Sequence, residues 1–137
     1  MQDIDVRLDR FDFPEAASIP SPQLIYYQDQ IEANTKTIIQ MARGPEQLWP
    51  HIKTHKSADL TRLLMEYGIE RFKAATVAEA EMLARLEVPH ICLSNLLVGP
   101  NLQRFVQLVK AYPESQFWTL ADDLGIWSEL DATLAAA

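Results

Sequence analysis

The sequence predicts an α/β fold, on two observations. Short apolar runs of strand type alternate with segments of helical period along most of the chain, and several of the boundaries between them carry helix-capping residues. At 137 residues, with 48% apolar residues, the chain has the length and core content of one globular domain. Strands that alternate with helices at this spacing form parallel β/α units, with the strands expected to be buried on both sides.

The elements follow in order. Residues 1–20 mix five acidic side chains with aromatics and two prolines and show no sustained period, so they are read as an N-terminal arm preceding an α/β body over residues 21–137. Gln23 to Tyr27 is a short apolar and aromatic run of strand type. Asp29 to Arg43 then places Ile31, Ile38, Ile39 and Ala42 on one helical face before Gly44 and Pro45 stop it. Leu48 to Lys53 reads as the second strand, followed by a helix that Ser57 caps and Gly68 closes. Arg71 to Ala75 is the third strand. After it, Thr76 and Glu79 form a capping box, which supplies partners for amides that the first helical turn leaves unpaired. His90 to Asn95 is the fourth strand, paired with a helix that Pro113 ends. Gln116 to Ala121 and the segment after it complete five units. Cys92, the single cysteine, excludes an internal disulfide and is expected to be buried structural filler in its strand.

Charge narrows the function. A net charge of -7 argues against nucleic acid or an anionic membrane as partner, because both require a basic face. No apolar run approaches the roughly 18 residues of a membrane span, and the acidic start is unlike a secretory leader. A cytoplasmic protein that handles small molecules or binds another protein is expected.

Against this acidic background, His51, Lys53, His55 and Lys56 concentrate positive charge in "PHIKTHK". A strand running slightly past Lys53 would point His51, Lys53 and His55 to one side, with Lys56 falling in the loop or helix start. Ligands of parallel α/β folds bind at the carboxyl ends of the strands, where Lys53 lies. A partly desolvated ammonium among other potential cations loses its proton more readily, and the free amine can attack a carbonyl. An anion-binding basic loop is the alternative. His51 and His55 have no carboxylate or cysteine at ligand spacing, so no metal site is expected there.

"PHIKTHK" resembles the P-H-x-K-T-H-K motif of the D-threonine aldolase and D-serine dehydratase family, pyridoxal-phosphate enzymes of fold-type III built on an alanine racemase-like β/α barrel. Three further stretches are similar to the same family. Ser21, Pro22, Leu24, Asp29 and Asn34 match its opening T-P-x-L strand and D-x-x-x-x-N helix; "ATVAEAE" matches its A-T-x-x-E-A-E helix; and "LSNLLVGP" matches its L-x-N-x-x-V-G-P strand end. The resemblance implies a partial (β/α)8 TIM-type barrel of about five units. It makes Lys53 the residue forming the internal aldimine with pyridoxal 5'-phosphate, with His51 and His55 tuning it or relaying protons, and Asn95 and Thr76 contacting the cofactor. It implies a lyase acting on a small-molecule D-amino acid; a racemase, or an inactive cofactor-binding or oligomerisation module, are the alternatives.

Departures accompany the matches. Trp49 stands where the family has arginine before the Pro-His pair, and Tyr27 where it has a first-strand aspartate. A closed eight-stranded barrel needs roughly 250 residues. The family's later phosphate-binding loops and the ligands of its divalent metal find no counterpart in this sequence. An open sheet of this kind would leave edges and an apolar face to be covered, so a homo-oligomer, a dimer in the simplest case, is expected.

Overall fold

The computed structural model describes residues 13–136. Most of the predicted arm, residues 1–12, lies outside the described residues; Pro14–Ser18 forms a 3-10 turn. The body is a parallel sheet of three strands in the order β1 (Arg71–Ala74), β2 (His90–Leu96) and β3 (Gln116–Leu120). Around it lie α1 (Gln28–Ala42), α2 (Ala58–Glu66), α3 (Val77–Arg85), α4 (Pro100–Ala111) and α5 (Leu124–Ala135). Strands adjacent in sequence are adjacent in the sheet, and α3 and α4 return the chain from one to the next. This arc of β/α units is part of a TIM-type barrel.

Capping chemistry sets the helix limits where it was expected. The Ser57 hydroxyl accepts the Leu60 amide at 3.2 Å and the Thr76 hydroxyl accepts the Glu79 amide at 3.1 Å. Gly68, just past α2, takes a φ of +82, which costs a residue without Cβ little. Helix α1 ends one residue earlier than Gly44, at a left-handed Arg43. Its inward stripe is Ile31, Thr35, Ile39 and Ala42, whereas Ile38 is exposed, because i, i+4, i+8 spacing follows the helical period better than the predicted set.

The first two predicted strands do not form. Gln23 to Tyr27 is extended but joins no strand of the sheet, and Leu24, Ile25 and Tyr26 are exposed. In the second, only His51 bridges the sheet, in parallel with Lys73, and Ile52–Thr54 then winds into a 3-10 turn. Pro50 has no amide to donate; its carbonyl accepts the Lys73 amide at 2.8 Å. The ladder stops at this single bridge.

The sheet is buried on one face only. Phe72, Ala74, Ile91 and Leu93 share a core with Ala80, Leu83 and Ala84 of α3 and Leu102, Phe105 and Val106 of α4. The opposite face is half-open, with Trp118 48% and Leu120 49% exposed. Lys73, Cys92 and Trp118 are in register across it, so Cys92 is half-buried on the face turned away from the helices rather than inside the core. Trp49 lies across the same face, its ring 6.3 Å from that of Trp118, edge to face, and 6.4 Å from that of His90.

Candidate active site

The basic segment follows from the turn. Ile52 is fully buried and anchors it, while Lys53 and Thr54 are exposed beside it. The amides of His55 and Lys56 both close onto the Ile52 carbonyl, at 3.1 and 2.8 Å. Because a 3-10 turn replaces the strand, His51, Lys53 and His55 do not share a strand face, and the expected period-two separation of Lys53 from Lys56 is replaced by a different one. Lys56 takes a left-handed φ of +48, and its ammonium lies 3.4 Å from the Glu79 carboxylate. Lys53 has no ion pair among the described residues.

The bridge between His51 and Lys73 fixes the direction of this segment relative to the sheet. Lys53, two residues further along a parallel path, stands beyond the bridge toward the carboxyl end of β1, the side on which barrel enzymes place their chemistry.

Each histidine uses Nδ1 as an acceptor for the amide two residues on. His51 takes the Lys53 N–H at 3.3 Å, and His55 takes the Ser57 N–H at 3.1 Å. These bonds require an unprotonated Nδ1 and therefore a neutral ring. The electrostatics agree. Burial, then the charges of Lys53 and Lys73, hold the His51 pKa below its ordinary value, against the opposing pull of Glu79 and of a backbone hydrogen bond to Lys73. Burial lowers that of His55, again opposed by Glu79. Tyr26 adds a strap from before α1, its hydroxyl donating to the His55 carbonyl at 3.3 Å.

Thr76 and Asn95 come together at the neighbouring corner. They line a cleft of about 160 Å3 with Val77, Leu97, Asn101 and Arg104, at the carboxyl ends of β1 and β2; its lining does not include Lys53, His51 or His55. Asn95 bridges two backbones, donating to the Ala75 carbonyl at 3.4 Å and accepting the Leu96 amide at 2.9 Å, where the pairing of β2 with β3 shifts register. Sequence reasoning took Glu79 only for a capping residue. It is 6% exposed, and its carboxylate accepts the Ala75 amide at 2.7 Å as well as facing Lys56. A glutamate in an A-T-x-x-E helix start signals a cap; nothing in that pattern signals a second partner from the preceding unit. Among the described residues, no group of three His, Cys, Asp or Glu side chains is placed to hold a metal ion.

The family model described as Alanine racemase, N-terminal domain matches residues 27–122. The chain belongs to that family. Its basic turn, Thr76 corner and Asn95 strand end all fall within the matched residues of this alanine racemase-type domain. Among solved structures the chain is similar to the crystal structure of D-threonine aldolase from Filomicrobium marinum, with a TM-score of 0.77 and 26% identity. That match covers 88% of this chain and 32% of the other, so this racemase-type domain spans about a third of the length of that enzyme. No curated protein matches it.

Proteins of this fold-type III family typically bind pyridoxal phosphate. The donor set here suits the aldehyde end of that molecule: an exposed amine with no carboxylate paired to it among the described residues, in a turn with two imidazoles whose Nδ1 atoms accept amides. The surrounding charges of Lys53 and Lys73, both felt by His51, suit an anion.

Proposed function

We propose that this chain is part of the barrel of a pyridoxal-phosphate-dependent lyase acting on D-amino acids, of the D-threonine aldolase or D-serine dehydratase type. The observation that carries the reading is the asymmetry of the two exposed lysines in one turn: among the described residues Lys53 has no ion pair, while Lys56 faces a buried carboxylate. Lys53 would hold the cofactor covalently through Nζ. The cofactor supplies an electron sink for charge developing at the substrate α carbon.

The chain's own residues do the remaining work. The 3-10 turn and the Ile52 anchor set the position of Lys53. His55, with Nδ1 occupied by an amide, keeps Nε2 as the ring nitrogen able to hold or pass a proton, while His51, whose ring also makes a backbone hydrogen bond to Lys73, is proposed to tune Lys53 rather than relay protons. The Thr76 hydroxyl, which accepts from Glu79, retains its own proton to donate, and Asn95 offers an amide at the same end of the sheet. Both are proposed as cofactor contacts.

The test is reductive trapping. The protein is incubated with pyridoxal phosphate, reduced with borohydride and mapped by peptide mass spectrometry. A single adduct on Lys53, absent from Lys53→Ala, is expected; an adduct on Lys56 alone, or none, refutes the assignment. Turnover of D-threonine or D-serine that persists in Lys53→Ala refutes the mechanism.

A further inference from the structure

Glu79 is the one charged side chain in the buried set of the described residues, and a carboxylate withdrawn from water needs partners. It has two, from different units of the fold. Oε2 accepts the Ala75 amide at the end of β1, and Oε1 faces the Lys56 ammonium at the end of the basic turn. The Ala75 carbonyl in turn accepts from Asn95 at the end of β2. A polar chain therefore runs from the lysine turn to β2 along the carboxyl edge of the sheet. At its head is a residue under backbone constraint: Lys56, at φ +48, occupies a region that side chains with a Cβ enter at a cost.

We propose that Glu79 is a positioning residue that decides which lysine of the turn reacts with an aldehyde, by clamping Lys56 and leaving Lys53 free. Condensation of a lysine amine with an aldehyde forms a carbon–nitrogen double bond, displaces the carbonyl oxygen as water and takes both hydrogens from the nitrogen. The nitrogen must be uncoordinated and able to approach the carbonyl carbon. Lys56 Nζ, on a side chain that is 64% exposed, is engaged by the Glu79 carboxylate at 3.4 Å and must leave it before it can react. The same clamp holds the left-handed Lys56 backbone, whose amide closes the turn onto Ile52, so it also fixes the direction in which Lys53 leaves the surface. The inference deepens the reading of Lys53 as the attachment site.

The experiment compares individual lysine reactivities in the full chain. Formaldehyde with cyanoborohydride methylates accessible amines without any cofactor, and peptide mass spectrometry reads the rate at each lysine. In the unsubstituted chain Lys56 should react several-fold more slowly than Lys53. In Glu79→Gln, whose amide oxygen can still accept from Ala75, the two rates should converge, and pyridoxal phosphate with borohydride should then mark both lysines. Equal rates in the unsubstituted chain, or an unchanged ratio in Glu79→Gln, overturn the proposal. Protection of Lys56 without any pyridoxal phosphate adduct would instead defeat the functional reading and leave the clamp standing. Should Glu79→Gln not fold, Lys56→Gln leaves the buried carboxylate its amide partner and gives a second readout. The amide of residue 56 should then exchange with solvent about tenfold faster, and an unchanged rate overturns the clamp.

Discussion

Replacing Ile52 by alanine tests whether the reactive turn is held by the core. Ile52 is 0% exposed, although its neighbours Lys53 and Thr54 face water. The substitution removes three carbons from a closed site. At about 0.8 kcal/mol for each buried carbon, transfer alone accounts for about 2.4 kcal/mol. An unrelaxed cavity brings the expected loss to about 3–4 kcal/mol, inside the range for such truncations. A domain of this size has roughly 5–15 kcal/mol of stability, so the variant should remain folded but show a clearly lower urea midpoint with an unchanged slope. Lys53→Ala is the control: an exposed substitution beside the anchor should alter stability by no more than about 0.5 kcal/mol. If Ile52→Ala costs under about 1 kcal/mol, or no more than the control, the turn is not anchored as described and the direction of Lys53 has another cause.

Three further outcomes are expected. Thr76→Ala removes the cap of α3 and should cost about 1 kcal/mol by urea unfolding. His55 has its pKa lowered by burial, so its contribution to stability is full above the unfolded value of about 6.5 and is lost as pH falls through the depressed folded value. The urea midpoint should accordingly drop between pH 7.5 and 5.5, and His55→Asn, which can still accept the Ser57 amide, should flatten that drop; an unaltered slope would falsify the role given to this imidazole. The half-open sheet face should be covered by a second copy, so the chain is expected to sediment as a dimer that Trp118→Glu dissociates. A monodisperse monomer with ordinary thermal stability would rule that out.

The helices were legible because their signals are local. Ser57, Thr76 and Gly68 each act within a few residues of a boundary, and each does in the structure what its type and place imply. The three strands that form were legible as short apolar runs between helix signals, but their one-sided burial was not: Phe72, Ala74, Ile91 and Leu93 face one core while their sequence neighbours are only half-buried. The first two were misread because a strand exists only with a partner. Apolar side chains at Leu24 to Tyr26 satisfy a propensity without supplying a ladder. At Pro50 to Thr54, a missing amide and a histidine ring that captures the Lys53 N–H favour a turn. Within the candidate site, Lys53 was singled out by its place near a strand end, whereas the partner of Lys56 comes from the next β/α unit, and no spacing inside "PHIKTHK" encodes it.

Trp49 stands in the segment that leads into the reactive turn, and its indole meets Trp118 edge to face on the open side of the sheet. That contact gives the molecule an optical gauge of its own. A chromophore attached at Lys53 would sit near one indole of this pair and accept its excitation, so the loss of intrinsic emission would report loading as it happens. A change that unseats the turn would separate the two rings and shift the emission even with nothing bound.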